Sequence, residues 1–486
     1  MKKLSPVNVA IIIIIFCVTT AVTSPAQSTF ATLANFDSTN GANPEFPMSL
    51  VQGTDGNFYG TTELGGAIGS YGSVFKLAPS LTTLYSFCAQ SECTDGEYPL
   101  GGLVQATDGN FYGTTQQGGA NGNYGTVFQI TTGGTLTTLY SFCAQTDCTD
   151  GSYPFAGLVQ GTDGNFYGTT QQGGANGAGT VFKVSSTGAL TTLYSFCAQT
   201  DCTDGDAPYA GLAQGGDGNF YGTTQGGGAN DSGTVFKITS AGALTTLYSF
   251  CTQALCSDGS SPLGGLIQGA NGDLYGTTQG GGANGSYGTV FQITKAGALT
   301  TLYSFCAQSG CTDGESPLAT LTQATDGNFY GTTSEGGGSN ACINGCGTLF
   351  KVTAAGQLTT LHSFAVADGY DPSGGLMQAT NGILYGTTYG GGTDPLYGTV
   401  FSLSAGLGSF VETRPTSGLV GATVTILGTN LTGTTKVSFN GTAAKFTVVS
   451  RSEITATVPK GATSGKVQVT TPKKMLNSNA IFRVNP

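Results

Sequence analysis

Thirteen cysteines are present, and apart from Cys17, in the leading apolar run, they fall into close pairs. Five pairs share one spacing: Cys88 with Cys93, Cys143 with Cys148, Cys197 with Cys202, Cys251 with Cys256, and Cys306 with Cys311. Each is followed by Asp-Gly and then by a proline such as Pro99 or Pro154. Two cysteines this close across a turn reach disulfide distance without help from the rest of the chain. A zinc site would need a second cysteine pair or histidines, which no pair has beside it. A sixth pair, Cys342 and Cys346, departs from the pattern and lies in a Gly-rich loop. Disulfides are expected at all six, which places the chain in an oxidising compartment.

Around these pairs gather the residues that could meet a ligand: Asp95, Glu97, Tyr98, Asp150, Tyr153, Asp204, Asp206, Asp258, Asp313 and Glu315. Carboxylates beside tyrosines can hydrogen-bond and stack on sugars or contact a surface protein. No cofactor is expected; the carboxylates could hold Ca²⁺, although the alternating acids of a calcium loop are missing. Asp-Gly is equally plain turn chemistry. Little else supports catalysis. The only histidine, His362, stands where the preceding copy has Tyr303, so no Ser/His/Asp set can be assembled. No zinc motif and no phosphate loop occur. Paired carboxylates are the remaining option, and the near-identical repeats suggest no distinctive pair. The expectation is a non-catalytic protein that binds glycans or surface proteins; the alternative is a secreted glycan-active enzyme, a hydrolase or lyase using such carboxylates.

The loops are positioned by a repeat. Asp-Gly-Asn-Phe-Tyr-Gly-Thr-Thr, beginning at Asp55, recurs so that its tyrosine falls at Tyr59, Tyr112, Tyr167, Tyr221, Tyr275, Tyr330 and Tyr385, 53 to 55 residues apart. Each unit offers four strand-like stretches; in the second these are 102–105, 110–115, 125–131 and 136–142, with turns at Asp108-Gly109 and Gly133-Gly134. Four antiparallel strands per unit predict the blade of a propeller. The seventh unit lacks its fourth strand, and a matching stretch, 30–36, precedes the first. Donating it would close the ring and satisfy the open edge. The fold expected for 29–405 is therefore an all-β, seven-bladed propeller. Long loops gather on one face and tight hairpins on the other, and the long-loop face is the expected binding surface. Neighbouring apolar residues such as Phe111 and Tyr112 point to opposite sheet faces and predict inter-blade core.

Met1-Lys2-Lys3 and the apolar run from Val9 to Val18 read as a signal peptide, residues 1–26, removed after Ala26. No later segment could span a bilayer, so a secreted or cell-surface location is expected. Charge is unevenly divided: from Thr29 to Ala405, 25 acidic residues face five lysines and no arginine, whereas from Gly406 onward nine basic residues face two acids. So acidic a body excludes nucleic acid as a partner. Residues 409–486 carry alternating short strands and predict a small β-sandwich. Their proline-containing opening at Pro415, the Gly428-Thr429-Asn430-Leu431 turn and Val458-Pro459 resemble the IPT/TIG immunoglobulin-like family. The recurring Gly-Asn-Phe-Tyr-Gly-Thr-Thr and Gly-Thr-Val-Phe segments, from Thr29 to Ser404, resemble the GloVer tandem repeats of bacterial secreted or surface proteins. That resemblance implies location and architecture more than activity. The family's repeats precede differing anchoring segments, whereas here no apolar tail or sorting motif precedes Pro486. The basic module could instead be a spacer, a protein contact or a foot on an acidic envelope polymer. The donated strand also suggests strand-exchanged oligomers.

Overall fold

The structure, a computed structural model, describes residues 28–485; the expected signal peptide lies outside the described residues. The protein is all-β, with short 3-10 turns and no α-helix among those residues. Seven four-stranded antiparallel sheets follow the repeats. In the second unit the strands are Val104–Gln105, Phe111–Thr115, Thr126–Ile130 and Leu136–Ser141, paired in chain order. The first strand is shorter than its sequence suggests, beginning at Val104 rather than at Gly102. The Asp108-Gly109 and Gly133-Gly134 turns form as expected, with Gly109 and Gly134 in the left-handed region at φ 85° and 89°.

The repeated motif explains the stacking of sheets. Tyr59 lies on Phe111 of the next unit at 4.3 Å, Tyr112 on Phe166 at 4.0 Å and Tyr167 on Phe220 at 3.9 Å. Phe58 meets Tyr385 of the last unit at 4.3 Å, so the series returns to its start. All of these tyrosines but Tyr385 are at most 2% exposed, and burying each ring contributes roughly 1.5–3 kcal/mol. The motif glycine makes room for a cross-strand ring: a Cβ on Gly113 would sit 2.7 Å from Phe128 Cζ. The aspartate two residues before the asparagine caps its own hairpin and takes the tyrosine hydroxyl, as in Tyr112 Oη to Asp108 at 2.7 Å.

Closure is covalently open but fully hydrogen-bonded. Strand Thr29–Asn35 pairs antiparallel with Thr399–Ser404 and supplies the missing fourth strand of the last sheet. A second device joins the units. Every unit ends its innermost strand on a glutamine, and each side-chain carbonyl accepts the backbone N–H of the preceding unit's turn. Thr54, Thr107, Thr162, Gly216, Ala270, Thr325 and Thr380 donate in turn to Gln105, Gln160, Gln214, Gln268, Gln323, Gln378 and Gln52, at 2.8–3.2 Å. The last of these joins the seventh unit to the first. Buried threonines add six further bonds between adjacent units, Thr61 Oγ1 to Gly101 O and Thr114 Oγ1 to Ala156 O among them.

Beyond the ring, one sheet joins Glu412–Arg414, Thr423–Leu427, Glu453–Thr457 and Phe446–Val448. A second, of five strands, includes Lys436–Phe439, Gly465–Thr470 and Met475–Val484. They enclose a core of Val424, Ile426, Ile454, Val437, Phe439, Val467 and Phe482. This unit stands on the tight-turn face of the ring. Arg414 donates to Gln105 Oε1 at 2.9 Å and to Gln52 O at 3.0 Å, Ser452 Oγ to Thr54 O at 2.8 Å, and Thr380 and Thr429 share a hydroxyl contact at 2.7 Å.

Candidate functional site

All six cysteine pairs are disulfide-bonded. Among the described residues, Cys306, Cys311 and Glu315 bring three metal-type side chains together; with both sulfurs in a disulfide, the trio lacks thiolates for a metal.

The five repeated aspartates of the expected binding set are corrected by the structure. Asp95, Asp150, Asp204, Asp258 and Asp313 are fully buried. Each carboxylate is spent inside its own loop. Asp150 takes the Tyr140 hydroxyl at 2.7 Å and the amides of Ala144 and Gln145 at 3.0 and 3.2 Å, and the other four repeat this pattern. They hold the disulfide turn, with their carboxylates closed off from solvent. His362 fits the same scheme, giving its ring to Phe30 at 3.9 Å and bonding Asp368 at 2.9 Å in a loop without cysteines.

The remaining members lie farther out on the same face. Glu97 is nearly buried, and burial raises its carboxyl pKa. Tyr98 lies beside Tyr71 and Tyr153 beside Tyr124. Burial also raises Asp206, with Asp231 adding repulsion, and Glu315, with Glu335 doing the same.

The distinctive chemistry sits where the near-identical copies diverge. Pro44 stands seven positions before Val51, whereas Pro99 stands five before Val104; the extra residues of the first unit are Glu45 and Phe46. Phe46 reaches Phe155, two units away, at 6.1 Å, and Phe155 meets Tyr209 edge-on at 5.0 Å. Gln171 donates to the Tyr209 hydroxyl. These residues form an aromatic arc where the segments after the prolines converge.

Beside that arc lies an acidic seam between the last and first units. Glu63 replaces the glutamine that follows Gly-Thr-Thr in the next four units, and Asp371 takes the position held by Tyr98 and Tyr153. Burial and a hydrogen bond with Glu45 push the Glu63 carboxyl well above its ordinary range. Burial, reinforced by Glu45 and Glu335, raises Asp371 to about 7. Tyr389 is raised by burial and then by Glu63, Glu45 and Asp371. Two buried polar atoms here lack any hydrogen-bond partner, Asp371 Oδ1 and Ser373 Oγ. Such atoms cost about 1–3 kcal/mol each unless something meets them. Glu45 and Glu63 are thus carboxylates that the other units lack at these positions. Their signal in the sequence was the departure of single copies from the pattern.

The profile of the Gloeobacter/Verrucomicrobia repeat family matches residues 17–161, 142–343 and 311–455. The chain belongs to that family. No curated protein matches it. Among solved structures, this repeat protein is similar to a luciferin-regenerating enzyme at 10% identity, covering 79% of this chain and 97% of that one with a TM-score of 0.40. A putative 6-phosphogluconolactonase from Bacteroides uniformis follows at 15%, with 77% and 96% covered and a TM-score of 0.36. An α-L-arabinanase from Penicillium chrysogenum has 12%, 62% and 91%, and 0.39. At these identities and TM-scores the likenesses decide nothing about activity.

Proposed function

We infer that this repeat protein is a secreted or cell-surface, non-catalytic binder of glycans, and that the ligand lies across the centre of the long-loop face. In this reading the ring is a seven-bladed β-propeller and the C-terminal unit an IPT/TIG-type immunoglobulin-like module. The observation that carries it is the juxtaposition of half-buried Phe155 and Tyr209, backed by buried Phe46, with an acidic seam containing unpartnered buried oxygens. Aromatic faces stack on the C–H faces of sugars, and carboxyls with hydroxyls choose among their OH groups. Glu97, Tyr98, Tyr153, Asp206 and Glu315 would extend the contact outward.

The enzymatic alternative rests on Glu45 and Glu63. Burial first, and then Glu45, raise the Glu63 carboxyl above its ordinary range; a neutral carboxyl donates a hydrogen bond to a ligand hydroxyl, the role this reading gives it. Calcium is disfavoured as an obligatory cofactor, since the repeated aspartates are committed within their loops.

A glycan array probed with the oxidised mature protein, with calcium and then with chelator, tests this. Retention of a defined glycan, unchanged by chelator and lost in Phe155→Ala/Tyr209→Ala, is expected. Retention that survives the double substitution would remove the arc from the site, and retention that chelator abolishes would restore calcium to it.

A further inference from the structure

A cavity of about 990 Å³ lies on the opposite side of the ring, between its tight turns and the C-terminal unit. That is the upper end of the ~300–1,000 Å³ typical of ligand clefts. Its walls hold three cations, Lys295 from the ring and Lys466 and Arg483 from the C-terminal unit, against one acid, Asp217. The balance is positive, on a ring whose other charges are overwhelmingly acidic.

Each cation is placed by the fold. Lys295 stands in a hairpin turn where the second unit has Thr132 and the fourth has Ser240, and it neutralises Asp217 at 3.5 Å. Arg483 rests on Gly216 O and fills the space a side chain there would occupy. Lys466 donates to Asn479 O at 2.6 Å, and neighbouring protein strips enough water from its ammonium to lower its pKa. Among the described residues, Asp217 is paired with Lys295, and neither Lys466 nor Arg483 has a carboxylate at ion-pair distance. Thr322, Ser417 and Asn485 line the same walls and offer hydroxyl and amide groups.

We propose that this cavity binds an acidic oligosaccharide, its carboxylates lying between Lys295, Lys466 and Arg483 and its hydroxyls against the Thr322, Ser417 and Asn485 wall. The site exists only where ring and C-terminal unit meet, so ligand and docking support one another. It is separate from the long-loop site and does not depend on it.

Calorimetric titration of the mature protein with tri-galacturonate tests the proposal. Binding that weakens as salt rises is expected, with neutral cellotriose at least tenfold weaker. Lys295→Gln/Lys466→Gln should lower affinity at least tenfold, while Phe155→Ala/Tyr209→Ala leaves it unchanged. No binding by the natural chain, equal binding of cellotriose, or undiminished binding by the double lysine variant would overturn it. Near- and far-ultraviolet circular dichroism of each variant separates loss of charge from loss of fold.

Discussion

Asp150 and Asp371 are both acids on the long-loop face, and burial gives them opposite roles. Asp150 satisfies three donors in its own turn. Asp150→Ala should therefore cost about 1–3 kcal/mol of stability, read as a shift in the urea midpoint, with ligand affinity unchanged. Asp371 has an oxygen with no partner and a pKa raised from 3.8 to about 7. The folded state then holds a proton that the unfolded chain releases, so stability should fall as pH rises from about 4 to about 7. Asp371→Asn should flatten that part of the profile and raise the melting temperature at pH 8. Glu63, raised by burial and Glu45, contributes to the same slope, so an identical slope of thermal melts in the natural chain and in Asp371→Asn would show that Asp371 is ionised in the folded protein. Composition could not separate the two aspartates, because Asp-Gly turns and ligand carboxylates are written with the same residue. Only the hydrogen bonds from Tyr140 and the following amides distinguish them.

At the level of strands and loops, the sequence was most legible where a motif meets itself. The four strands per unit, the outward alternation of Phe and Tyr and the donated strand Thr29–Asn35 all follow from spacing and pattern. The glutamines recur at the same 53- to 55-residue spacing as the tyrosines, but a polar residue ending a two-residue strand gives no sign, by pattern alone, that its side chain bridges to the neighbouring unit. Gln105→Ala should remove both an inter-unit bond and the Arg414 contact. An increase in hydrogen exchange at Thr54 and in the C-terminal unit is expected, with the other units unaffected. The repeated disulfides close loops too short to matter globally. Cys197→Ser/Cys202→Ser should cost about 2 kcal/mol and leave the seven sheets intact by circular dichroism. Deleting residues 28–36 should be far more damaging, because it exposes strand Thr399–Ser404 as an open edge. Light scattering of that truncation should show association through the vacant edge, which is also where strand-exchanged oligomers would form.

Across the whole molecule, near-identity and exception divide the work. Repetition builds a ring from hydrogen bonds and stacked aromatics, and the exceptions, Glu45-Phe46, Glu63 and Asp371, collect at the seam and at the centre of one face. The opposite face is occupied by the basic C-terminal unit. The most direct test of the central claim is hydrogen–deuterium exchange of the oxidised protein with and without a glycan retained on the array. Protection confined to 44–48, 62–65, 153–157, 207–211 and 371–375 is the result expected. Protection confined to the outer Gly-rich loops, such as 116–124, with none at the seam would contradict it.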